Sequence, residues 1–215
     1  MIVARIIAIA IGYVFGLFQT GYFYGMSQGI DIRKEGSGNA GTTNSLRVLG
    51  MKAGAITFAG DLLKAILAVV VTSLIFRNRY PEGAKLLELY AGFGAVLGHN
   101  FPFYLKFRGG KGIACTAGVI VALFPAAAVI CLAVFLICLA ISHYVSLSSI
   151  LMVLVLLVSA LVSNHYGWLG VPDTYLVEFD IVVGCFVAMA IWRHRANIVR
   201  LINGNENKLS IRKQK

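Results

Sequence analysis

Residues 112–142, GIACTAGVIVALFPAAAVICLAVFLICLAIS, run from Gly112 to Ser142 without a charged side chain. A helix crosses a hydrocarbon core in about 20 residues, so this stretch is too long for one comfortable span. Pro125 lies near its middle. One strongly tilted helix fits it, and so do two short ones. The choice fixes the parity of the whole fold, because the stretch begins at a basic loop ending in Lys111 and the chain finishes in a basic tail.

The rest of the chain reads in the same terms. Of 215 residues, 59% are apolar and 13% charged, too little charge to cover the outside of a soluble domain of this length. The fold class is therefore an all-α integral membrane protein, read as a single domain over residues 1–215. Further apolar spans are expected at Ile2–Tyr24, Lys52–Phe76, Leu86–Tyr104, Val145–Val162 and Tyr175–Trp192. Fourteen of the nineteen Lys and Arg fall after the first span, after the third span and in the tail. The positive-inside rule puts all three segments in the cytoplasm. An even number of crossings must then separate Lys111 from the tail, and only the split reading of 112–142 supplies it. About seven transmembrane helices follow, with the N-terminus outside and the C-terminus cytoplasmic. The loop from Arg77 to Lys85, which carries Arg77, Arg79 and Lys85 against Glu82, is a mild exception to the charge rule.

A net charge of +10 in so apolar a chain means basic loops facing an anionic partner: a phosphorylated small molecule or lipid headgroups. Nucleic acid is excluded as a partner, since no basic soluble domain remains once the spans are removed. The four cysteines sit in apolar runs with no CxxC and no His at zinc-ligand spacing, so neither a disulfide framework nor a metal site is expected.

All three basic segments are rich in glycine or polar groups. In the first, Gly36, Gly38 and Gly41 permit successive N–H groups to turn inward as an anion nest, with Ser37, Asn39 and Asn44 nearby and a helix capped at Thr42 or Thr43. Arg47 falls one turn further along. A plain glycine-rich turn is the competing reading. In the second, Gly109, Gly110 and Gly112 surround Lys111 directly before an uncharged helix, presenting bare backbone and an ammonium as a phosphate cradle does. Gly112 stands where a Walker A loop has Ser or Thr. In the third, Arg193, Asn197 and Arg200 share a face of a helix leaving the last span, with His194 one turn from Asn197. A solvated basic juxtamembrane helix explains that face as well.

Together these segments resemble the three cytoplasmic motifs of the PlsY family of membrane acyl-phosphate:glycerol-3-phosphate acyltransferases. The likeness runs from Asp31 through Arg47–Gly50, Asp61–Lys64, Gly98–His99 and Phe107–Gly112 to Tyr144–Leu147, Arg193–His194, Asn197, Arg200 and Glu206. One departure lies in the first span, where the family commonly has Gly-Ser-Ile-Pro and this chain has Gly16-Leu-Phe-Gln-Thr20.

The resemblance implies a bacterial inner-membrane enzyme with its active site at the cytoplasmic face. It would transfer a fatty acyl group from acyl-phosphate to the 1-hydroxyl of glycerol 3-phosphate, acting as a monomer without cofactor. Catalytic roles would fall to Ser37, Arg47, His194 and Asn197. Substrate contacts would fall to Gly36, Gly38, Asn39, Gly41, Asn44, Gly109, Gly110, Lys111, Gly112, Ser146, Arg193 and Arg200. His194 and Asn197 would orient or deprotonate the glycerol hydroxyl: either His194 is the general base, or, the reading favoured here, it donates a hydrogen bond to the hydroxyl while a substrate phosphate oxygen takes the proton. Glu206 is expected to pair with a nearby arginine, and Asp61 and Lys64, three residues apart on one helix, to pair with each other as structural residues. The His-x4-Asp dyad of acyl-CoA-type acyltransferases is absent: Tyr104, Ser148, Gly170 and Val199 lie five residues after the four histidines. The competing functional class is a transporter or flippase for an anionic phosphorylated solute, which would place polar groups at the bilayer midplane in paired halves.

Overall fold

The computed structural model describes residues 1–209, and they form helices throughout: α1 (Ile2–Leu17), α2 (Thr20–Ser27), α3 (Thr42–Leu49), α4 (Met51–Phe76), α5 (Ala84–Asn100), a 3-10 turn at Phe103–Leu105, α6 (Ile113–Leu123), α7 (Pro125–Ser142), α8 (Val145–His165), α9 (Asp173–Arg193) and α10 (Arg195–Ile202). Five segments are long and apolar enough to cross a membrane: Ile2–Ser27, Met51–Phe76, Pro125–Ser142, Val145–His165 and Asp173–Arg193. The uncharged stretch is split. Phe124 both ends α6 and precedes α7, with Pro125 as the first residue of α7, because proline lacks the N–H that would continue the α6 ladder yet suits a helix start. At 11 residues, α6 reaches only about 16 Å, roughly half a hydrocarbon core.

The first span is also broken, at Phe18 and Gln19, and without proline. Gln19 is fully buried and its Nε2 donates to the carbonyls of Gly16, Gly98 and His99 at 3.2, 3.4 and 3.1 Å. A side-chain amide thus serves carbonyls left open by the break and by the end of α5. Leu17 carbonyl accepts from Tyr104 at 2.6 Å.

Close approach of α1 and α5 holds the centre of the bundle. A Cβ on Gly12 or Gly16 would collide with the carbonyls of Ala91 or Ala95, and one on Gly94 or Gly98 with those of Ile9 or Tyr13. Small residues at this four-residue spacing let membrane helices pack backbone to backbone, where lipid offers no hydrophobic drive to bring them together. Elsewhere in the bundle Glu178 of α9 accepts from Arg5 of α1 and from Tyr90 of α5, and Asn164 donates to Asp180. The apolar core gathers α4, α5, α6, α8 and α9 around Val96, Val119, Val153 and Phe179. All four cysteines are free.

Candidate active site

One cavity of about 420 Å³ is lined by residues from all three basic segments: Ser37, Asn39, Gly41, Asn44 and Arg47 from the first, Lys111 and Gly112 from the second, and Arg193, His194, Asn197, Arg200 and Glu206 from the third. Ser146 at the start of α8 joins them. Two helix N-termini open onto it, Thr42 and Thr43 of α3 and Ile113 and Ala114 of α6, adding unpaired N–H groups and positive dipole ends.

The first segment is held by Asn44. Its Oδ1 accepts from the Ser37 N–H at 2.8 Å, and its Nδ2 donates to the carbonyls of Ile32 and Glu35. This corrects the expectation of a substrate contact: the Asn44 amide is committed to the loop. Gly36 and Gly38 take positive φ, 58° and 69°, as a nest requires, and lie behind the lining. The helix starts at Thr42 with Gly41 as its cap, in place of the threonine cap read from sequence. Asn39 Oδ1 accepts from the Gly41 N–H.

In the second segment the glycine cradle is corrected. The N–H groups of Gly109 and Gly110 donate to the carbonyls of Asn100 and His99, and their own carbonyls accept from Arg193 at 3.1 and 2.5 Å. Gly109, Gly110 and Arg193 therefore form a staple that ties the loop to the ends of α5 and α9. Arg193, stacked on Phe101, lines the cavity but commits its Nη2 to backbone. What the loop presents to the cavity is Lys111. Its Nζ donates to Asn197 Oδ1 at 2.5 Å, and its pKa is lowered to about 8, chiefly by burial, with the pull of Glu206 opposed by Arg200, Arg193 and Arg47.

The third segment is two helices rather than one, since His194 separates α9 from α10. Asn197 Nδ2 donates to Glu206 Oε1 at 2.7 Å, Arg200 Nε to Glu206 Oε2 at 2.8 Å, and Ser146 Oγ to Glu206 Oε1 at 3.0 Å. Burial raises the Glu206 pKa, but these donors outweigh it and hold the carboxyl below its usual range. His194 is buried, and its Nδ1 lies 2.7 Å from the Ala190 carbonyl. A carbonyl only accepts, so Nδ1 carries the proton and Nε2 holds a lone pair. The donor role read for His194 is thereby reversed. Burial, then the Lys111 cation, lowers its pKa to about 4, which keeps the ring neutral.

Sequence reasoning missed Phe58, Phe135 and Leu209 as lining groups, and it read Asp61 as structural only and His99 more as a helix-terminus hydrogen-bonder than as a site residue. Asp61 and His99 reach the cavity from beneath, and Phe58, Phe135 and Leu209 give it apolar walls. The two phenylalanines look like any lipid-facing residue in a one-dimensional reading; Phe58 is exposed and Phe135 half-buried, and both border the cavity. Asp61, His99 and Cys115 lie close enough together for a metal, but Lys64 Nζ, 2.7 Å from Asp61 and 3.0 Å from His99 Nδ1, already stands as the cation there.

Comparison with known proteins bears on the same residues. The family described as Glycerol-3-phosphate acyltransferase matches residues 6–204, a range that includes every cavity residue up to Asn197 and Arg200. Glycerol-3-phosphate acyltransferase of Halalkalibacterium halodurans is 43% identical over 86% of this chain and 85% of its own; that of Bacillus subtilis is 41% identical over 97% and 98%. The crystal structure of PlsY (YgiH), an integral membrane glycerol 3-phosphate acyltransferase, in its glycerol 3-phosphate form superposes with a TM-score of 0.78 at 32% identity, covering 96% of both chains. Its lysophosphatidic acid form gives 0.76. With fold, motifs and nearly full-length identity in agreement, the chain belongs to the glycerol-3-phosphate acyltransferase family.

Proposed function

We propose that the protein transfers a fatty acyl group from acyl-phosphate to the 1-hydroxyl of glycerol 3-phosphate, releasing lysophosphatidic acid and inorganic phosphate. The observation that carries this reading is the single cavity in which Arg47, Lys111 and Arg200 converge beside two helix N-termini, a neutral histidine lone pair and apolar walls. Two phosphates and a lipid tail need that combination. Acyl-phosphate is already activated, so the demands are positioning and stabilisation of charge. The hydroxyl oxygen attacks the acyl carbon, the acyl–phosphate C–O bond breaks, phosphate departs and the hydroxyl proton passes to a phosphate oxygen. His194 Nε2 accepts from the neighbouring 2-hydroxyl and so turns the 1-hydroxyl toward the acyl carbon. Lys111 and Arg47 hold phosphate, and Glu206 keeps Asn197 and Arg200 in place.

The convergence of three basic segments on one cavity supports a common membrane face for them, the cytoplasmic face of a bacterial inner membrane, and seven crossings in one transmembrane domain. Short α6 fits this arrangement because Gly112, the residue that precedes its first turn, lines the cavity. A C-terminal reporter labelled only from the periplasmic side overturns the topology. For the reaction, purified protein is supplied in turn with acyl-phosphate, acyl-CoA and acyl carrier protein. Transfer is expected with acyl-phosphate alone, and sustained turnover with acyl-CoA contradicts the assignment.

A further inference from the structure

Beneath the glycine staple lies a polar cluster that the proposed reaction has not used. Asp61, Lys64 and His99 are 1%, 5% and 3% exposed. Lys64 Nζ lies 2.6 Å from the Phe18 carbonyl, 2.7 Å from Asp61 Oδ1 and 3.0 Å from His99 Nδ1. Thr20 adds a hydrogen bond to Asp61 Oδ1 at 3.1 Å.

An ammonium offers three donors and no lone pair. Its three partners here are a carbonyl, a carboxylate and an imidazole nitrogen, so Lys64 donates to each and Nδ1 of His99 accepts. A protonated imidazole is excluded, because two donors would then face each other across 3.0 Å. The neutral ring must carry its proton on Nε2. That nitrogen sits against Gly110, where a Cβ would overlap it, and His99 lines the cavity that holds Lys111. Among the described residues no hydrogen bond engages Nε2. The two cavity histidines are thus of opposite tautomer. His194 presents a lone pair and His99 an N–H.

We propose that His99 is a catalytic hydrogen-bond donor, its Nε2–H offered to the acyl-phosphate oxygen that gains negative charge during transfer, and that Lys64 is the positioning residue that locks this tautomer. The proposal rests on the acyl-transfer reading. Buried donors preset toward a developing oxyanion act on the transition state more than on bound substrate, so the effect belongs in kcat. Gly110 is the complement: only a residue without Cβ leaves room for the imidazole edge at the loop.

Full-length protein labelled with 15N-histidine, in detergent at neutral pH, reports each ring's tautomer, and His99→Gln assigns the resonance. His99 is expected to carry its proton on Nε2 and His194 on Nδ1. The paired Asp61→Asn/Lys64→Met variant, which keeps net charge, is expected to release the His99 tautomer. In turnover, His99→Gln retains an N–H at the distal position and should keep kcat within about tenfold, whereas His99→Phe should lower kcat by about 10² to 10³. The KM for glycerol 3-phosphate should change less than about threefold in both. A proton on Nδ1 of His99, or equal loss of kcat in the Gln and Phe variants at equal thermal stability, overturns the proposal. If His99→Phe does not fold, the tautomer measurement decides. Failure of the wild type to use acyl-phosphate is a separate outcome that removes the acyl-transfer reading, and the tautomer result then stands on its own.

Discussion

His194 Nδ1 lies 2.7 Å from the carbonyl oxygen of Ala190, one turn back on α9. That contact leaves a lone pair on Nε2, so in the proposed reaction the ring would accept from a glycerol hydroxyl rather than donate to it. Glutamine at 194 keeps an acceptor but cannot titrate. His194→Gln is expected to lower kcat/KM by about ten- to a hundredfold while the acidic limb of its pH profile persists near pH 6, the second ionisation of a phosphate monoester. Disappearance of that limb, with a fall beyond about a thousandfold, assigns proton removal to His194.

Lys111 is expected to govern the opposite limb. Burial lowers its pKa to about 8, and a phosphate is strongly attracted only by the charged form. Since kcat/KM reports the free enzyme, it should fall above about pH 8 as the ammonium loses its proton. Arginine does not titrate in this range, so Lys111→Arg should remove the limb even if its plateau is about tenfold lower. An unchanged basic limb in Lys111→Arg contradicts the role.

Arg47 lines the cavity from the last turn of α3 and, unlike Arg193 and Arg200, enters no hydrogen bond among the described residues. A guanidinium in that position grips a phosphate through two parallel N–H groups, which an ammonium cannot reproduce. Arg47→Lys is therefore expected to lose nearly as much kcat/KM as Arg47→Ala. Recovery of most activity in the lysine variant shows that charge alone suffices.

Gly94 tests the packing of α1 on α5. A side chain there meets the Ile9 carbonyl, while at Gly184 on α9 nothing lies within 4 Å. Gly94→Leu should destabilise the protein by about 3 kcal/mol and Gly184→Ala should be nearly neutral, read as thermal unfolding in detergent. Equal effects of the two substitutions refute the close approach.

The break near Pro125 was legible in sequence because the basic segments on either side demand an even number of crossings, and those segments were legible because charge seldom enters lipid. The pairing of Asp61 with Lys64 follows from spacing along one helix. His99 as their third partner does not, since it arrives from α5 and no local pattern announces it. The same limit applies to Gly109 and Gly110: their N–H groups look available in a linear reading, and only the return of the loop onto the end of α5 shows them bonded to Asn100 and His99. Arg193 is the reciprocal case, a motif cation whose targets are the carbonyls of another motif. The glycines at 12, 16, 94 and 98 had the spacing of a membrane packing motif, a signal present in the sequence but overshadowed there by the glycine-rich loops.

Phosphate release by the purified protein tests the central claim most directly. Acyl-phosphate is supplied with and without glycerol 3-phosphate, and inorganic phosphate and lysophosphatidic acid are followed together. Transfer chemistry predicts release that depends on glycerol 3-phosphate and matches lysophosphatidic acid one for one. Release at the same rate without the acceptor, or no release at all from a folded protein, contradicts it.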